Sequence, residues 1–332
     1  MASVLFTLAE VESALPIVRA AVPPTPQYAW PQLAARTGAD VFVKHENHTP
    51  CGAFKVRGGL VYVEKLRRKQ PQVAGIVSAT RGNHGQSLAF AAGRAGIAAT
   101  IVVPHGNSAE KNAAMRALGA ELIEIGRDFD EAKEHAVKIA CQRGYVFTPA
   151  FHRDLVIGVA TYAYEFFTAI KELDTVYVPI GLGSGICGMI GIRDALGLAT
   201  RIVGVVAQEA NAYARSFAAG HVIATDTADT FADGLAVRVP DATALAAIRG
   251  GAERIVEVSE PELVEAIGIY FSDTHTLAEG AGAAPLAALL KERAWMQRRR
   301  VGLIMTGQNI DRSMMLAVLA GKVPALPKEL PS

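Results

Sequence analysis

Strand-like and helix-like segments alternate along most of this chain, and that rhythm constrains its fold more than any other feature. Residues 75–79 read as a short buried strand, 84–96 as a helix and 99–103 as the next strand. A helix over 107–118 follows, with Asn107 and Glu110 spaced as a capping box and Gly119 as its stop. A strand over 121–125 and a helix over 130–143, closed by Gly144, complete the series. The rhythm returns with helices at 154–170, 186–196, 261–271 and 283–296 and strands at 175–180, 202–207 and 301–305. Such alternation predicts parallel sheets covered by helices, and its repetition predicts two α/β lobes. A length of 332 residues fits two domains or one large domain with an inserted lobe. The Pro-rich stretch 21–26 reads as a rigid leading loop and 324–332 as a loose tail.

Charge narrows the range of partners. With 33 basic against 32 acidic residues, the net charge of +1 provides no electrostatic reason to expect nucleic acid or an anionic membrane. The basic runs at 65–69 and 298–300 read as solvated helix ends. Cys51, Cys141 and Cys187 are far apart and odd in number, which argues against a disulfide framework or zinc site and for a reducing compartment. The first residues lack a signal-peptide pattern, and no uninterrupted apolar run reaches transmembrane length. A cytoplasmic protein is therefore expected.

Four segments carry chemistry. Lys55 lies in Cys51-Gly52-Ala53-Phe54-Lys55-Val56-Arg57-Gly58-Gly59, among small and aromatic residues that a surface lysine does not require. A lysine held at one point and partly desolvated becomes a nucleophilic amine. Gly181-Leu182-Gly183-Ser184-Gly185 follows a strand and opens a helix, where backbone N–H groups and the helix terminus suit a phosphate. Close packing of helix on strand selects glycine as well. Thr80-Arg81-Gly82-Asn83-His84 sits at another strand-to-helix turn and suits a carboxylate, with Asn83 a side-chain donor, or else with the Asn or Thr of the turn a helix cap. Thr306, in Met305-Thr306-Gly307-Gln308-Asn309, lies where open α/β sheets place ligands, or else caps the next helix. The Gly181–Gly185 loop followed by a strand ending near Glu209 also looks like a dinucleotide fingerprint, and hence an NAD-dependent oxidoreductase. Its third glycine is misplaced for that pattern, and a nicotinamide enzyme leaves Lys55 unexplained.

In their joint order these segments resemble the fold-type II pyridoxal-phosphate enzymes, most nearly the serine/threonine dehydratase and serine racemase group. Asp233-Gly234-Leu235-Ala236 and Glu279-Gly280-Ala281-Gly282-Ala283 fit the same group, and the likeness runs from about Pro23 to Gly321. The resemblance implies a tryptophan synthase β-like fold: two open, twisted, mostly parallel sheets flanked by helices. It implies a large cofactor domain over 1–62 and 150–332, a small domain over 63–149 and a homodimer. It further implies pyridoxal 5′-phosphate in a Schiff base with Lys55 and packed beside Phe54. Asn83 would donate to the ring 3-oxygen, Gly181 to Gly185 would hold the phosphate with Gly188 close behind, and Thr306 would face the pyridine nitrogen. Thr80 to His84 would hold the substrate carboxylate.

A hydroxyl at Thr306 brings no charge to hold a pyridinium, so the ring is a poorer electron sink and a long-lived carbanion is disfavoured. Elimination of water from a 3-hydroxy amino acid of the threonine or serine type fits better. Lys55 would take the α-proton, and the products would be a 2-oxo acid and ammonia. The chain departs from the group at Arg81, where the group carries Ser or Ala and the racemases use a serine as acid/base. A guanidinium is a poor proton shuttle but can pair with a carboxylate, which disfavours racemisation and raises 3-hydroxyaspartate as a substrate. Phenylserine is a further alternative, and Arg81 pointing away, paired with an acid of the protein or with the cofactor environment, is the plain reading. Where the racemase-like members bind a divalent cation, this chain has Gln208 and Ala214 in place of acids, so no metal is expected there. The lack of a further C-terminal domain suggests a catabolic role.

Overall fold

The computed structural model describes residues 5–127 and 129–325. Among these residues the strands are β1 (Gln27–Ala29), β2 (Asp40–His45), β3 (Gly75–Ala79), β4 (Ala98–Val103), β5 (Glu121–Glu124), β6 (Val146–Phe147), β7 (Thr175–Pro179), β8 (Arg201–Ala207), β9 (Arg254–Val258) and β10 (Arg300–Met305). They form a six-stranded sheet ordered β1-β2-β10-β7-β8-β9 and a four-stranded sheet ordered β5-β4-β3-β6. The pairing of β1 with β2 is antiparallel and the remaining pairings are parallel. This is the α/β arrangement of two mostly parallel sheets that the sequence implies.

Each sheet is buried on both faces, and side-chain alternation along a strand divides its residues between two cores. In the large sheet Val176, Val178, Ile202 and Val206 pack towards the Arg153–Ala169 and Ser184–Ala195 helices. Tyr177, Val203, Val205 and Leu303 face the Glu260–Thr274 and Gly280–Lys291 helices. In the small sheet Val77, Ala79 and Val102 meet Ala132, Ala136 and Ala140 of the Phe129–Arg143 helix, while Ile76, Ile101 and Val103 belong to the core shared with the Asn83–Ala95 helix.

Several local expectations need correction. The helix expected over 107–118 is Ala109–Ala117, and its cap is Ser108, whose hydroxyl accepts from the Lys111 N–H, rather than Asn107. The helix expected over 283–296 is Gly280–Lys291. Arg300 of the basic run at 298–300 opens β10 and stacks its guanidinium over Phe42, 5.0 Å from the ring centroid, instead of ending a helix. The run at 65–69 does close the Lys55–Lys69 helix, with Lys65 paired to Asp154 and Arg68 to Glu64. The tail expected over 324–332 falls almost wholly outside the described residues. No helix among the described residues is long and apolar enough to cross a membrane.

Candidate active site

The four chemistry-bearing segments follow the C-terminal ends of β2, β3, β7 and β10, so parallel strand polarity alone aims them at one cleft. The β2–β10 register sets Lys44 opposite Ile304 and His45 opposite Met305. Beyond the strands an isolated bridge joins Ala53 to Gly307. The Phe54 N–H donates to the Thr306 carbonyl at 3.0 Å, and the Gln308 N–H donates to the Gly52 carbonyl at 2.9 Å. Thr306 is buried and lies outside the next helix, Arg312–Leu319, whose N-cap is Asp311, so its capping alternative falls away.

Lys55 opens the Lys55–Lys69 helix, and its neighbours hold that helix still. A Cβ on Gly58 would lie 2.8 Å from the Leu155 carbonyl oxygen, and one on Gly59 would lie 2.3 Å from Ser87 Oγ. Glycine at both positions lets two other helices close on this one. Arg57, fully buried, donates to Glu46 Oε2 at 2.7 Å, Glu165 Oε1 at 3.0 Å and Glu165 Oε2 at 2.8 Å. Lys44 Nζ donates to Glu165 Oε2 at 2.9 Å. Two cations and two carboxylates thus neutralise one another out of water, tying β2 and the start of the lysine helix to the Arg153–Ala169 helix. Only such mutual pairing makes buried charge tolerable.

The Lys55 ammonium lies 5.0 Å from the Phe54 ring centroid, and its Nζ lies 3.4 Å from Ser184 Oγ. Phe54 meets Tyr162 edge to face with centroids 6.0 Å apart. Burial pushes the Lys55 pKa down to about 8, against the weaker opposing pull of Glu279. The neutral fraction near physiological pH is therefore far larger than for an ordinary lysine and becomes the major form above about 8, and the side chain is only half-buried.

Ser184 begins the Ser184–Ala195 helix, and Gly183, its N-cap, has φ +100°. Tyr213 donates to the Leu182 carbonyl at 3.0 Å and Tyr162 to the Gly185 carbonyl at 2.9 Å, turning these carbonyls outward. The start of this helix, which Lys55 Nζ reaches at Ser184, is thereby a candidate anion cradle. A Cβ on Gly181 would lie 2.4 Å from the Gly234 carbonyl oxygen, so this position needs glycine. Gly188 serves a different end. A Cβ there would lie 3.1 Å from the Ala160 Cα, so Gly188 permits contact between two helices and stands apart from the cradle.

In the second turn Thr80 is the capping residue. Its hydroxyl accepts from the Gly82 N–H at 3.0 Å and the Gly85 N–H at 3.3 Å. Gly82 is the N-cap and Asn83 the first helical residue, so Asn83 is no side-chain cap. The Gly82 N–H is thereby consumed, leaving those of Arg81, Asn83 and His84 for a ligand. His84 is buried with Nε2 unpartnered, and burial pushes its pKa down to about 3. A neutral imidazole is the result. Arg81 is half-buried and makes no hydrogen bond or ion pair among the described residues, which removes the reading in which an acid of the protein holds it.

The structure adds residues whose roles the sequence left unread. Asn83 Nδ2 donates to Glu279 Oε1 at 2.8 Å, and Asn309 Nδ2 donates to Asn83 Oδ1 at 2.7 Å. Lys111, buried against Gly82, pairs with Asp233. Asp233, Glu279 and Asn309 stand in segments that fit the family pattern, but nothing local to Lys111 marks it. Among the described residues no group of three or more His, Cys, Asp or Glu is arranged to hold a metal ion.

These features suit a phosphate-bearing pyridoxal. The nucleophilic amine lies against the anion cradle, Gly181 keeps the cradle open, and the orphaned Glu279 Oε2 marks unsatisfied polarity in the same cleft. The family described as "Pyridoxal-phosphate dependent enzyme" matches residues 18–307. An L-threonine ammonia-lyase from Geobacter sulfurreducens is 34% identical over 88% of this chain and 73% of its own. An L-threo-3-hydroxyaspartate ammonia-lyase from a Pseudomonas species is 33% identical over 90% of this chain and 93% of its own. The structure of maize serine racemase superposes with a TM-score of 0.88 at 26% identity, over 95% of this chain and 97% of that one. The dinucleotide reading of the glycine loop is thereby overturned: the chain belongs to the fold-type II pyridoxal-phosphate-dependent enzymes, and pyridoxal 5′-phosphate is its cofactor.

Proposed function

We propose that this chain eliminates water from a 3-hydroxy amino acid to give a 2-oxo acid and ammonia, and that Arg81 fits it to a substrate with a second carboxylate. Membership among pyridoxal-phosphate-dependent ammonia-lyases of hydroxy amino acids supports the reaction class. The finer reading is supported by the half-buried Arg81 guanidinium, which has no hydrogen bond or ion pair among the described residues and belongs to the turn that would hold the substrate carboxylate. When bound, the cofactor supplies the electron sink that makes the α-hydrogen acidic.

The chain's residues do the rest. The N–H groups of Arg81, Asn83 and His84 at the helix start hold the α-carboxylate. Lys55, neutral above about 8, accepts the α-proton at Nζ. His84 is held neutral by burial and Arg81 is always charged, so neither relays that proton and its transfer stays with Lys55. Thr306 supplies no charge to stabilise accumulated carbanion, which favours departure of the hydroxyl as the proton leaves.

The test compares threonine, serine, phenylserine and both 3-hydroxyaspartate diastereomers by 2-oxo acid release. Formation of no 2-oxo acid from any of them rejects the elimination. An Arg81→Ser variant should lose about 10- to 100-fold in kcat/KM on the acidic substrate and little on threonine, as expected for one charge-assisted pair. Equal loss on all substrates rejects the second-carboxylate role. Lobes over 1–62 with 150–332 and over 63–149 are part of this reading, supported by the division of the strands into two sheets. A homodimer fits the exposed apolar side chains Phe271, Leu277, Leu316 and Leu319, and sedimentation would test it.

A further inference from the structure

Glu279 is the N-cap residue of the Gly280–Lys291 helix, yet its side chain caps nothing there. The shorter Asp, Asn, Ser or Thr would accept there from the first-turn N–H groups, and glutamate's extra methylene carries its carboxyl past them. Here it turns away into the cleft, 3% exposed, and its Oε1 accepts from Asn83 Nδ2 at 2.8 Å. The fold makes room for this: a Cβ on Gly307 would lie 2.5 Å from Glu279 Oε1. Asn83 is gripped at its other end by Asn309 Nδ2, which also donates to the Cys51 carbonyl at 2.8 Å. The amide therefore cannot flip without losing both bonds. One Nδ2 hydrogen goes to Glu279 and the other remains for a ligand. Glu279 Oε2 has no hydrogen-bond partner among the described residues.

We propose that Glu279 is a positioning residue of the cofactor site: it aims the Asn83 amide at the 3-oxygen of the pyridoxal ring, and its protonation sets how strongly Asn83 donates. This rests on pyridoxal phosphate occupying the cleft. An amide nitrogen that gives one hydrogen to a carboxylate gains electron density and donates its other hydrogen less well. Ionised Glu279 thus weakens the bond to the ring oxygen and adds negative charge beside it. Neutral Glu279 does the reverse. The charged groups facing Glu279 are Lys111, Asp233 and Lys55, from three different elements. Burial pushes the carboxyl up to about 7, with Asp233 adding to the shift and Lys111 opposing it. The switch therefore falls within the working pH range.

The experiment follows the visible absorption of the cofactor-loaded enzyme from about pH 5.5 to 8.5. The wild-type band should shift with a midpoint near 7. Glu279→Gln keeps an acceptor for Asn83 but cannot ionise, so its band should resemble the low-pH wild-type form throughout. Glu279→Asp withdraws the carboxyl by one methylene, so the cofactor Kd should rise about tenfold while the band still titrates. A wild-type band that does not change with pH overturns the proposal without any variant. So does a Glu279→Gln enzyme that titrates like wild type with only lower thermal stability, or a Glu279→Asp enzyme with unchanged Kd. Failure of the cofactor reading looks different: the wild-type protein would be colourless and borohydride would leave no adduct on Lys55.

Discussion

Lys55 Nζ lies 3.4 Å from Ser184 Oγ, so the amine at the start of one helix touches the first residue of another. Two helix N-termini converge there, each presenting unpaired N–H groups and a partial positive charge. Such a point attracts an anion and disfavours an ammonium. The same convergence therefore serves both the phosphate and the amine: it draws one in and helps keep the other nucleophilic.

The pH dependence of cofactor uptake follows from this. The apoenzyme should take up pyridoxal phosphate at a rate that rises with pH and levels off above about 8, where the Lys55 amine is neutral. A rate still climbing steeply well above that value would show an ordinary lysine. Lys55→Ala should yield no borohydride adduct and lose about 10³-fold in activity, typical of removing a positioned proton-transfer group.

Arg57 should matter to stability without touching the substrate. Arg57→Met leaves Glu46 and Glu165 sharing only Lys44, with uncompensated negative charge out of water. A loss of about 3–5 kcal/mol is expected, read from urea denaturation of the apoenzyme. A loss under about 1 kcal/mol would mean that the site rehydrates and the network contributes little.

Two glycines of one loop-helix unit should behave differently. Gly181→Ala sets a methyl 2.4 Å from the Gly234 carbonyl oxygen and must displace the cradle, so the cofactor Kd should rise about tenfold or more. Gly188→Ala presses on Ala160 in the helix contact, so it should lower stability by about 1–3 kcal/mol and leave the Kd nearly unchanged. Equilibrium dialysis and thermal unfolding on both variants separate the effects.

Much of the architecture is legible in the amino-acid order alone. Strand and helix periodicity is local, and the elements expected between β3 and β8 fall within two residues of their limits, whereas the two-residue strand β6 is too short to show a period and is not among them. Boundaries shift where two side chains compete for the same backbone groups. Ser108 rather than Asn107 caps its helix because its hydroxyl reaches the Lys111 N–H. Thr80 rather than Asn83 satisfies the carboxylate turn because Asn83 is engaged across the cleft. A cap can be guessed from residue type, but which candidate is free depends on distant partners.

The sequence by itself determined the class of fold and the family, because local periodicity and the order of short motifs along the chain carry both, and it singled out Lys55 and the 181–185 loop as candidates. Only the tertiary structure decided what those residues do to one another. Asn83 and Glu279 are 196 positions apart, and Arg57 and Glu165 are 108 apart. No local pattern encodes such pairs; they arise because parallel strands deliver separate loops to one end of the sheets. Burial there removes the water that would otherwise screen them, and it turns a lysine, a glutamate and an asparagine into one coupled site.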